Sequence, residues 1–145
     1  MKTSQQEIIV NHSANDLYKI VLDIEKYPEF IPWCHSIKIN SKSRNEIFAD
    51  MIVKHKLFFP QKFTSHVIYN SKKLLIHTNY IDGPLKNLKT KWFFKKINLK
   101  KTKILFNLEF EFKNVFHQKI AEFFFNVIEN KMIDSFRKRA DQILN

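Results

Sequence analysis

The feature that most constrains this chain is a two-residue alternation of apolar and polar side chains between Ser36 and Lys113. Successive side chains of a β-strand point to opposite faces, so this alternation predicts several strands that share one dry face. Antiparallel sheets commonly leave their other face in water. The clearest predicted strand carries large apolar residues at every second position: Ile104, Phe106, Leu108, Phe110 and Phe112.

Two hairpin registers follow from the requirement that apolar residues share one face. A tight turn at Ser71-Lys72 would place these residues opposite each other: Tyr69 and Leu74, Val67 and Ile76, Ser65 and Thr78, Phe63 and Tyr80. An odd-length loop around Leu99 would form a second set of pairs: Phe94 with Ile104, Trp92 with Phe106, Leu88 with Phe110. An even-length loop would turn lysines of the same strand toward the core, so the odd loop is predicted.

Helical spacing precedes the alternating region. Gln6–Val10 is predicted as a first strand, and Ser13 then stands three residues before Asp16, a pattern typical of a helix N-cap. The helix is expected to end near Lys26, because the ring of Pro28 disfavours helical geometry in Tyr27, the residue before it. Its apolar residues recur at helical spacing: Leu17, Ile20, Val21 and Ile24.

The last segment, Val115 to Leu144, contains neither proline nor glycine and is predicted to form one long helix. Its apolar residues form a broad stripe that suits packing on the dry face of the sheet: Phe116, Ile120, Phe124 and Val127, with Ala121, Phe125, Ile128, Met132, Phe136, Ala140 and Ile143 beside them. The predicted fold class is α+β, a single domain over residues 1–145. It comprises a curved antiparallel sheet of about seven strands, one or two short helices after the first strand, and the long C-terminal helix.

Composition limits the class of protein further. The length of 145 residues fits one domain, and a single cysteine excludes an internal disulfide and suits a reducing cytosol. The N-terminal residues show no secretory signal, and no apolar run approaches the length of a membrane span. The net charge of +11 suggests an anionic partner, either a nucleic acid or a membrane surface. The excess is nearly all lysine, so a solvated lysine surface produced by an AT-rich coding sequence stays open as an alternative.

Three stretches carry a family resemblance. Residues 27–34 read Tyr-Pro-Glu-Phe-Ile-Pro-Trp-Cys, and residues 82–88 read Asp-Gly-Pro-Leu-Lys-Asn-Leu, followed by Trp92. Residues 110–112, Phe-Glu-Phe, lead into a C-terminal segment with Met132 and residues 136–140, Phe-Arg-Lys-Arg-Ala. Over essentially its whole length the chain closely resembles the coenzyme Q-binding protein and ribosome-association toxin RatA family of START-like domains. It departs from that pattern at Leu85, where Phe is usual, and at Ser135, where Ala is usual.

The resemblance implies a helix-grip fold, in which a curved sheet wraps around the long helix and an apolar ligand is held between them. Family members are described as binding polyprenyl quinones for respiration or as blocking association of the ribosomal subunits. An aromatic inner face by itself is more often plain core. With the resemblance, the expected ligand-binding residues are Phe30, Trp33, Phe63, Tyr80, Leu85, Trp92, Phe94, Phe106, Phe110, Phe124 and Met132.

Two further features bear on binding. Gly83, the only glycine, is expected to satisfy a turn between two strands and to shape the rim of the cavity. Large apolar residues at an expected strand connection, surrounded by lysines, predict contact with a membrane surface through Leu57, Phe58 and Phe59. The alternative is that one or more of these phenyl rings fold back into the core.

Metal binding and catalysis have weak support. The tight-turn register makes His66 and His77 neighbours, but no carboxylate or thiolate joins them at chelating spacing, so no metal is predicted. Cys34 and His35 are adjacent and would point to opposite sides of an extended segment, which disfavours a cysteine nucleophile. No catalytic residue and no cofactor are predicted. An enzyme would have to use polar inner-face groups: Ser65, Tyr69, Thr78 and Tyr80.

The leading hypothesis is a non-enzymatic binding and transfer protein for a polyprenyl quinone such as ubiquinone, in support of respiratory electron transport. It is expected in a bacterial cytoplasm, peripheral to the inner membrane, with the quinone and an anionic membrane surface as partners. The second hypothesis is the ribosome-association toxin of a toxin-antitoxin pair, which binds the large ribosomal subunit and blocks subunit joining. No DNA partner is expected. An enzyme acting on an aromatic ligand is the third hypothesis.

Overall fold

A single antiparallel sheet forms the frame of the protein. The computed structural model describes residues 2–56, 58–113, 122–123, 126–127 and 130–144. The strands lie side by side in the order β1-β7-β6-β5-β4-β3-β2, which confirms the predicted curved sheet of seven strands. Their bounds are β1 Lys2–Val10, β2 Cys34–Lys42, β3 Glu46–His55, β4 Phe58–Asn70, β5 Leu75–Asp82, β6 Leu85–Asn98 and β7 Lys101–Phe112.

The first helix follows β1 and has the predicted cap. Helix α1 spans Ala14–Leu22, and the Ser13 hydroxyl oxygen accepts a hydrogen bond from the Asp16 amide at 3.2 Å. The predicted end near Lys26 is wrong, because the chain leaves α-helical geometry at Asp23, where ψ is 69°. A 3₁₀ helix, Ile24–Glu29, then continues through Pro28. Proline excludes a regular α-helix at this point, but a short 3₁₀ turn accommodates it.

The two hairpin predictions had different outcomes. The β6–β7 register is confirmed, with Phe94 opposite Ile104 and Trp92 opposite Phe106. The predicted β4–β5 register is wrong by two residues, since Tyr69 pairs with Ile76 rather than Leu74. The Asn70 side chain accepts hydrogen bonds from the amides of the next turn residues, and this stabilises a four-residue loop in place of the two-residue turn. A shift of two residues leaves every side chain on its predicted face.

The β4–β5 correction also separates the two histidines. His66 lies opposite Asn79, and His77 lies opposite Ile68. His66 instead stacks on Phe48 with ring centroids 4.2 Å apart, and its Nε2 lies 2.9 Å from a Glu46 carboxylate oxygen.

The C-terminal segment is helical in its described parts but is not one uninterrupted helix. Residues 122–123, 126–127 and 130 are helical, Lys131 forms a turn with φ of −123°, and helix α2 spans Met132–Ile143. The Ser135 hydroxyl donates to the Lys131 carbonyl oxygen at 3.0 Å, a type of bond that bends helices. No helix in the described ranges is long and apolar enough to cross a membrane.

Burial in the C-terminal segment follows the predicted stripe only in part. Val127, Phe136 and Ala140 are buried as predicted, whereas Ile143 is 50% exposed. Phe123 and Ile133 are buried without having been assigned to the stripe. The other predicted stripe residues that fall outside the described ranges are Phe116, Ile120, Ala121, Phe124, Phe125 and Ile128.

Candidate functional site

Trp92 lies at the centre of an aromatic layer between the sheet and α2. The centroid of its ring system lies 4.6 Å from that of Phe106 and 6.0 Å from that of Phe94. Phe136 of α2 covers it edge-on at 5.1 Å. These four side chains are no more than 5% exposed. Offset and edge-to-face contacts of this kind stabilise aromatic clusters, so this part of the predicted ligand wall is packed against α2.

Phe30 packs against the same ring of α2 from the segment before β2. Its ring centroid lies 5.3 Å from that of Phe136, and the Arg139 guanidinium carbon lies 5.1 Å from the Phe30 centroid. Arg139 also donates to a Glu29 carboxylate oxygen at 3.1 Å, and this hydrogen bond lowers the pKa of Glu29. Phe30 borders a pocket of about 250 Å³ that lies between α1 and the end of α2, with Ile143 on its rim.

The turn between β5 and β6 lies at one end of the inner face and is held by the Tyr80 hydroxyl. The Tyr80 hydroxyl donates to the Leu85 carbonyl oxygen at 2.8 Å and accepts from the Leu85 amide at 2.9 Å. Gly83 adopts a φ of 149°, and a Cβ placed there would lie 2.8 Å from the Lys62 carbonyl oxygen. Phe63 packs edge-on against Tyr80 at 6.1 Å. Gly83 is therefore required by backbone geometry and by lack of space.

A second aromatic cluster lies where β3 ends and β4 begins. Phe123 packs against His55 at 4.9 Å, Phe58 at 5.3 Å and Trp33 at 6.4 Å, measured between ring centroids. Phe58 is thus directed inward, whereas the adjacent Phe59 is 86% exposed. The remaining predicted membrane-contact residue, Leu57, lies outside the described residues.

The second cluster forms the wall of a pocket of about 320 Å³ between the sheet end and the C-terminal segment. Its apolar wall is formed by Phe123 and Val127, both less than 9% exposed. Around them lie polar side chains that can donate hydrogen bonds: His55, Asn126, Asn130 and Lys131. Glu122 adds a carboxylate to the lining. The pocket is therefore amphipathic, with an apolar wall and a rim rich in donors.

The described lining of this pocket differs from the residues predicted to bind ligand. Trp33 touches the pocket through Phe123, and Met132 follows the lining residue Lys131. The other predicted residues lie in the core layer or pack against it, except Phe124, which lies outside the described residues. The i, i+4 spacing of Phe123 and Val127 is the signal that could have identified this wall in the sequence.

Within the described residues, cysteine and histidine chemistry adds no second site. Burial raises the pKa of the Cys34 thiol to about 12, so the thiol stays protonated at neutral pH and is a poor nucleophile. No cluster of three or more potential metal-binding side chains occurs within the part of the chain that the structure describes.

Comparison with known families decides the identity of the fold. Residues 10–137 match the sequence profile of the polyketide cyclase / dehydrase and lipid transport family. The chain belongs to this family. The match spans all seven strands in part or whole, α1 and the first half of α2, and so includes the amphipathic pocket.

Relatives place this family member in the RatA and COQ10 group of the START-like superfamily. The ribosome association toxin RatA of Rickettsia prowazekii is 30% identical, with 99% of each chain covered. The mitochondrial coenzyme Q-binding protein COQ10 of Dictyostelium discoideum is also 30% identical, over 92% of this chain and 66% of the relative. The crystal structure of the Zhui aromatase/cyclase from Streptomyces shares the fold, with a TM-score of 0.86 at 11% identity, covering 99% of this chain and 96% of that one.

Proposed function

We propose that this chain is a non-enzymatic binding and transfer protein for a polyprenyl quinone such as ubiquinone, acting in support of respiratory electron transport. The observation that carries the proposal is the amphipathic pocket bounded by Phe123, Val127 and the donor side chains around them. The similarity to a protein named for coenzyme Q binding supports the choice of ligand. We expect the chain to work in the bacterial cytoplasm, peripheral to the inner membrane.

The chemistry of a quinone headgroup suits this lining. The carbonyl and methoxy oxygens of ubiquinone accept hydrogen bonds and donate none, and His55, Asn126 and Lys131 can all donate. Ligand pockets usually measure roughly 300–1,000 Å³, so about 320 Å³ suits a headgroup better than a whole polyprenyl chain. We expect the first isoprene units to lie along Phe123 and Val127. Each buried methylene contributes roughly 0.8 kcal/mol, so the tail should dominate affinity.

The test is the lipid content of protein purified without detergent. Asn130→Trp places a large side chain in the pocket from an exposed rim position and should reduce the quinone recovered by mass spectrometry about tenfold. Ile143→Trp is the matched control, because it fills the other pocket from a half-exposed position. Equal quinone content in both variants would contradict the proposed site. Recovery of a chemically altered quinone would contradict the non-enzymatic role.

The second candidate function is that of a ribosome-association toxin, which binds the large ribosomal subunit and blocks subunit joining. It is favoured by the similarity to RatA and by a row of exposed lysines on the outer face of β6, Lys89, Lys91 and Lys95. The cations of α2 are a poorer RNA-binding surface because they are partly neutralised. Arg137 and Lys138 both pair with Asp134, and Arg139 pairs with Glu29.

Co-sedimentation with large ribosomal subunits distinguishes the two surfaces. If the toxin function holds, binding should weaken steeply as salt rises, because each neutralised phosphate releases counterions. Reversing the three β6 lysines to Glu should abolish binding, whereas the triple variant Lys131→Glu, Arg137→Glu, Lys138→Glu should retain most of it. The opposite order would assign the toxin surface to the C-terminal segment. Binding that neither variant changes would contradict both assignments.

A further inference from the structure

Phe59 is the most exposed large apolar side chain in the described part of the protein, at 86%. It lies at the start of β4, between the inward-facing Phe58 and Pro60, where the β3–β4 pairing is irregular. The Gln61 side-chain amide donates to the Phe59 carbonyl oxygen at 2.9 Å and holds this backbone in place. Two adjacent phenyl rings are thus directed to opposite environments, one to the pocket wall and one to solvent.

The charged residues that flank Phe59 in sequence are lysines. Lys54, Lys56 and Lys62 are all exposed and flank it in sequence. Lys131 adds a further cation at the rim of the amphipathic pocket, whose wall residue Phe123 touches Phe58. An exposed aromatic ring among lysines suits the interface of an anionic bilayer, where the ring enters the headgroup region and the lysines attract lipid phosphates.

We propose that the β3–β4 tip, defined as Phe59 with Lys54, Lys56 and Lys62, docks this protein on an anionic lipid bilayer with the amphipathic pocket beside the membrane. The proposal deepens the proposed function, because docking at this end would let a polyprenyl tail pass between bilayer and pocket with little exposure to water. Binding to lipid does not itself require that the ligand be a quinone.

A competing tip lies at the opposite end of the sheet. Leu99, in the β6–β7 turn, is 76% exposed and is also flanked by lysines. The antiparallel strand order places the start of β4 and the β6–β7 turn at opposite ends. Phe59 is preferred because it adjoins the pocket wall through Phe58 and because its aromatic ring suits the interface. Leu99 therefore provides a matched control variant.

The experiment measures co-sedimentation of the purified chain with two kinds of vesicle, phosphatidylcholine alone and phosphatidylcholine mixed with phosphatidylglycerol. Phe59→Ser should weaken binding to the mixed vesicles about 10- to 100-fold, as expected for losing one inserted phenyl ring. Leu99→Ser should leave binding within about twofold of wild type, and Phe59→Trp should restore it. Lys54→Glu with Lys56→Glu should weaken binding to mixed vesicles at least about tenfold, while barely changing the weak binding to neutral ones.

Two results would overturn the docking proposal: equal loss in Phe59→Ser and Leu99→Ser, or a Phe59→Ser variant that binds like wild type. A lower melting temperature of Phe59→Ser than of wild type would also count against it, because an exposed ring should add nothing to stability. The pocket variant Asn130→Trp separates this proposal from the proposed function. Loss of quinone with normal vesicle binding supports both proposals, whereas absence of quinone from wild type with tip-dependent vesicle binding contradicts the quinone assignment alone.

Discussion

Tyr18 is a core residue whose hydroxyl group adds nothing to the stability of the fold. Tyr18 is 4% exposed, and its ring meets Phe94 edge-on at 6.0 Å. Its hydroxyl is buried and has no hydrogen-bond partner within the described residues. Burial also raises the pKa of this phenol. We predict that Tyr18→Phe leaves the free energy of unfolding unchanged or raises it by about 1–3 kcal/mol, because no unsatisfied polar group would then be buried. Denaturant unfolding measures this, and a clear loss of stability would show that the hydroxyl has a partner.

At Gly83, the fold requires a residue without a side chain. A Cβ at this position would lie 2.8 Å from the Lys62 carbonyl oxygen and 2.9 Å from the Tyr80 hydroxyl, at a φ that side chains rarely adopt. We predict that Gly83→Ala lowers the free energy of unfolding by about 2–4 kcal/mol. The exposed neighbour Asp82 supplies the control, and Asp82→Ala should change stability by less than about 1 kcal/mol. Similar effects of both substitutions would refute the steric argument.

Among the elements, the β6–β7 hairpin contains one extra residue. The turn itself is Leu99 and Lys100, closed by Asn98 opposite Lys101, and the pairing is irregular between Lys96 and Asn98. Ile97 is the unpaired residue that reconciles an odd number of connecting residues with a two-residue turn. We predict that deleting Ile97 leaves the fold intact, because Lys96 and Asn98 would then be neighbours that keep their partners, Thr102 and Lys101. Ile97→Ala should also fold normally, since this side chain is 47% exposed. Circular dichroism and gel filtration compare the two variants, and loss of the fold on deletion alone would show that the bulge itself is required.

The 3₁₀ helix and α2 are joined by the Glu29–Arg139 ion pair, which makes their attachment sensitive to pH. Arg139 lowers the pKa of Glu29 in the folded state, so the pair stabilises the fold above the ordinary pKa of a glutamate. That stabilisation is lost as pH falls through the lowered folded-state pKa. We predict that Glu29→Gln melts below wild type at neutral pH and that the difference disappears in acid. Glu25→Gln, on the same 3₁₀ helix, is the control and should follow wild type at every pH. A pH-independent gap would exclude the ion pair as its cause.

At the scale of the whole molecule, ligand binding should be visible as stability. A ligand that binds only the folded chain at about a hundred times its dissociation constant stabilises it by about 2.7 kcal/mol. For a chain of 145 residues this corresponds to a rise in melting temperature of roughly 5–10 °C. We predict this rise for wild type with a short-chain ubiquinone and no rise for Asn130→Trp. Differential scanning calorimetry measures both, and an equal rise in the two proteins would place the ligand elsewhere.

Local patterns determined much of this fold. The two-residue period assigned the side chains of the clearest strands to the correct face, and the same parity predicted the β6–β7 register, because a one-residue slip would bury lysines. The cap at Ser13 was also predictable, since it depends on side chains three residues apart. These features are governed by neighbours in sequence or by a single hydrophobic face, so the sequence by itself was sufficient to determine them.

The tertiary structure decided the features that depend on groups distant along the chain or on one backbone angle. The turn at Lys131 interrupts the predicted long helix, and Phe123, which was not assigned to the apolar stripe, packs against Trp33 and lines the amphipathic pocket. The Asn70 side chain lengthened the β4–β5 turn, and the bond between Glu29 and Arg139 spans most of the chain. Periodicity gives the direction of a side chain but not its partner, because partners are chosen by packing between elements.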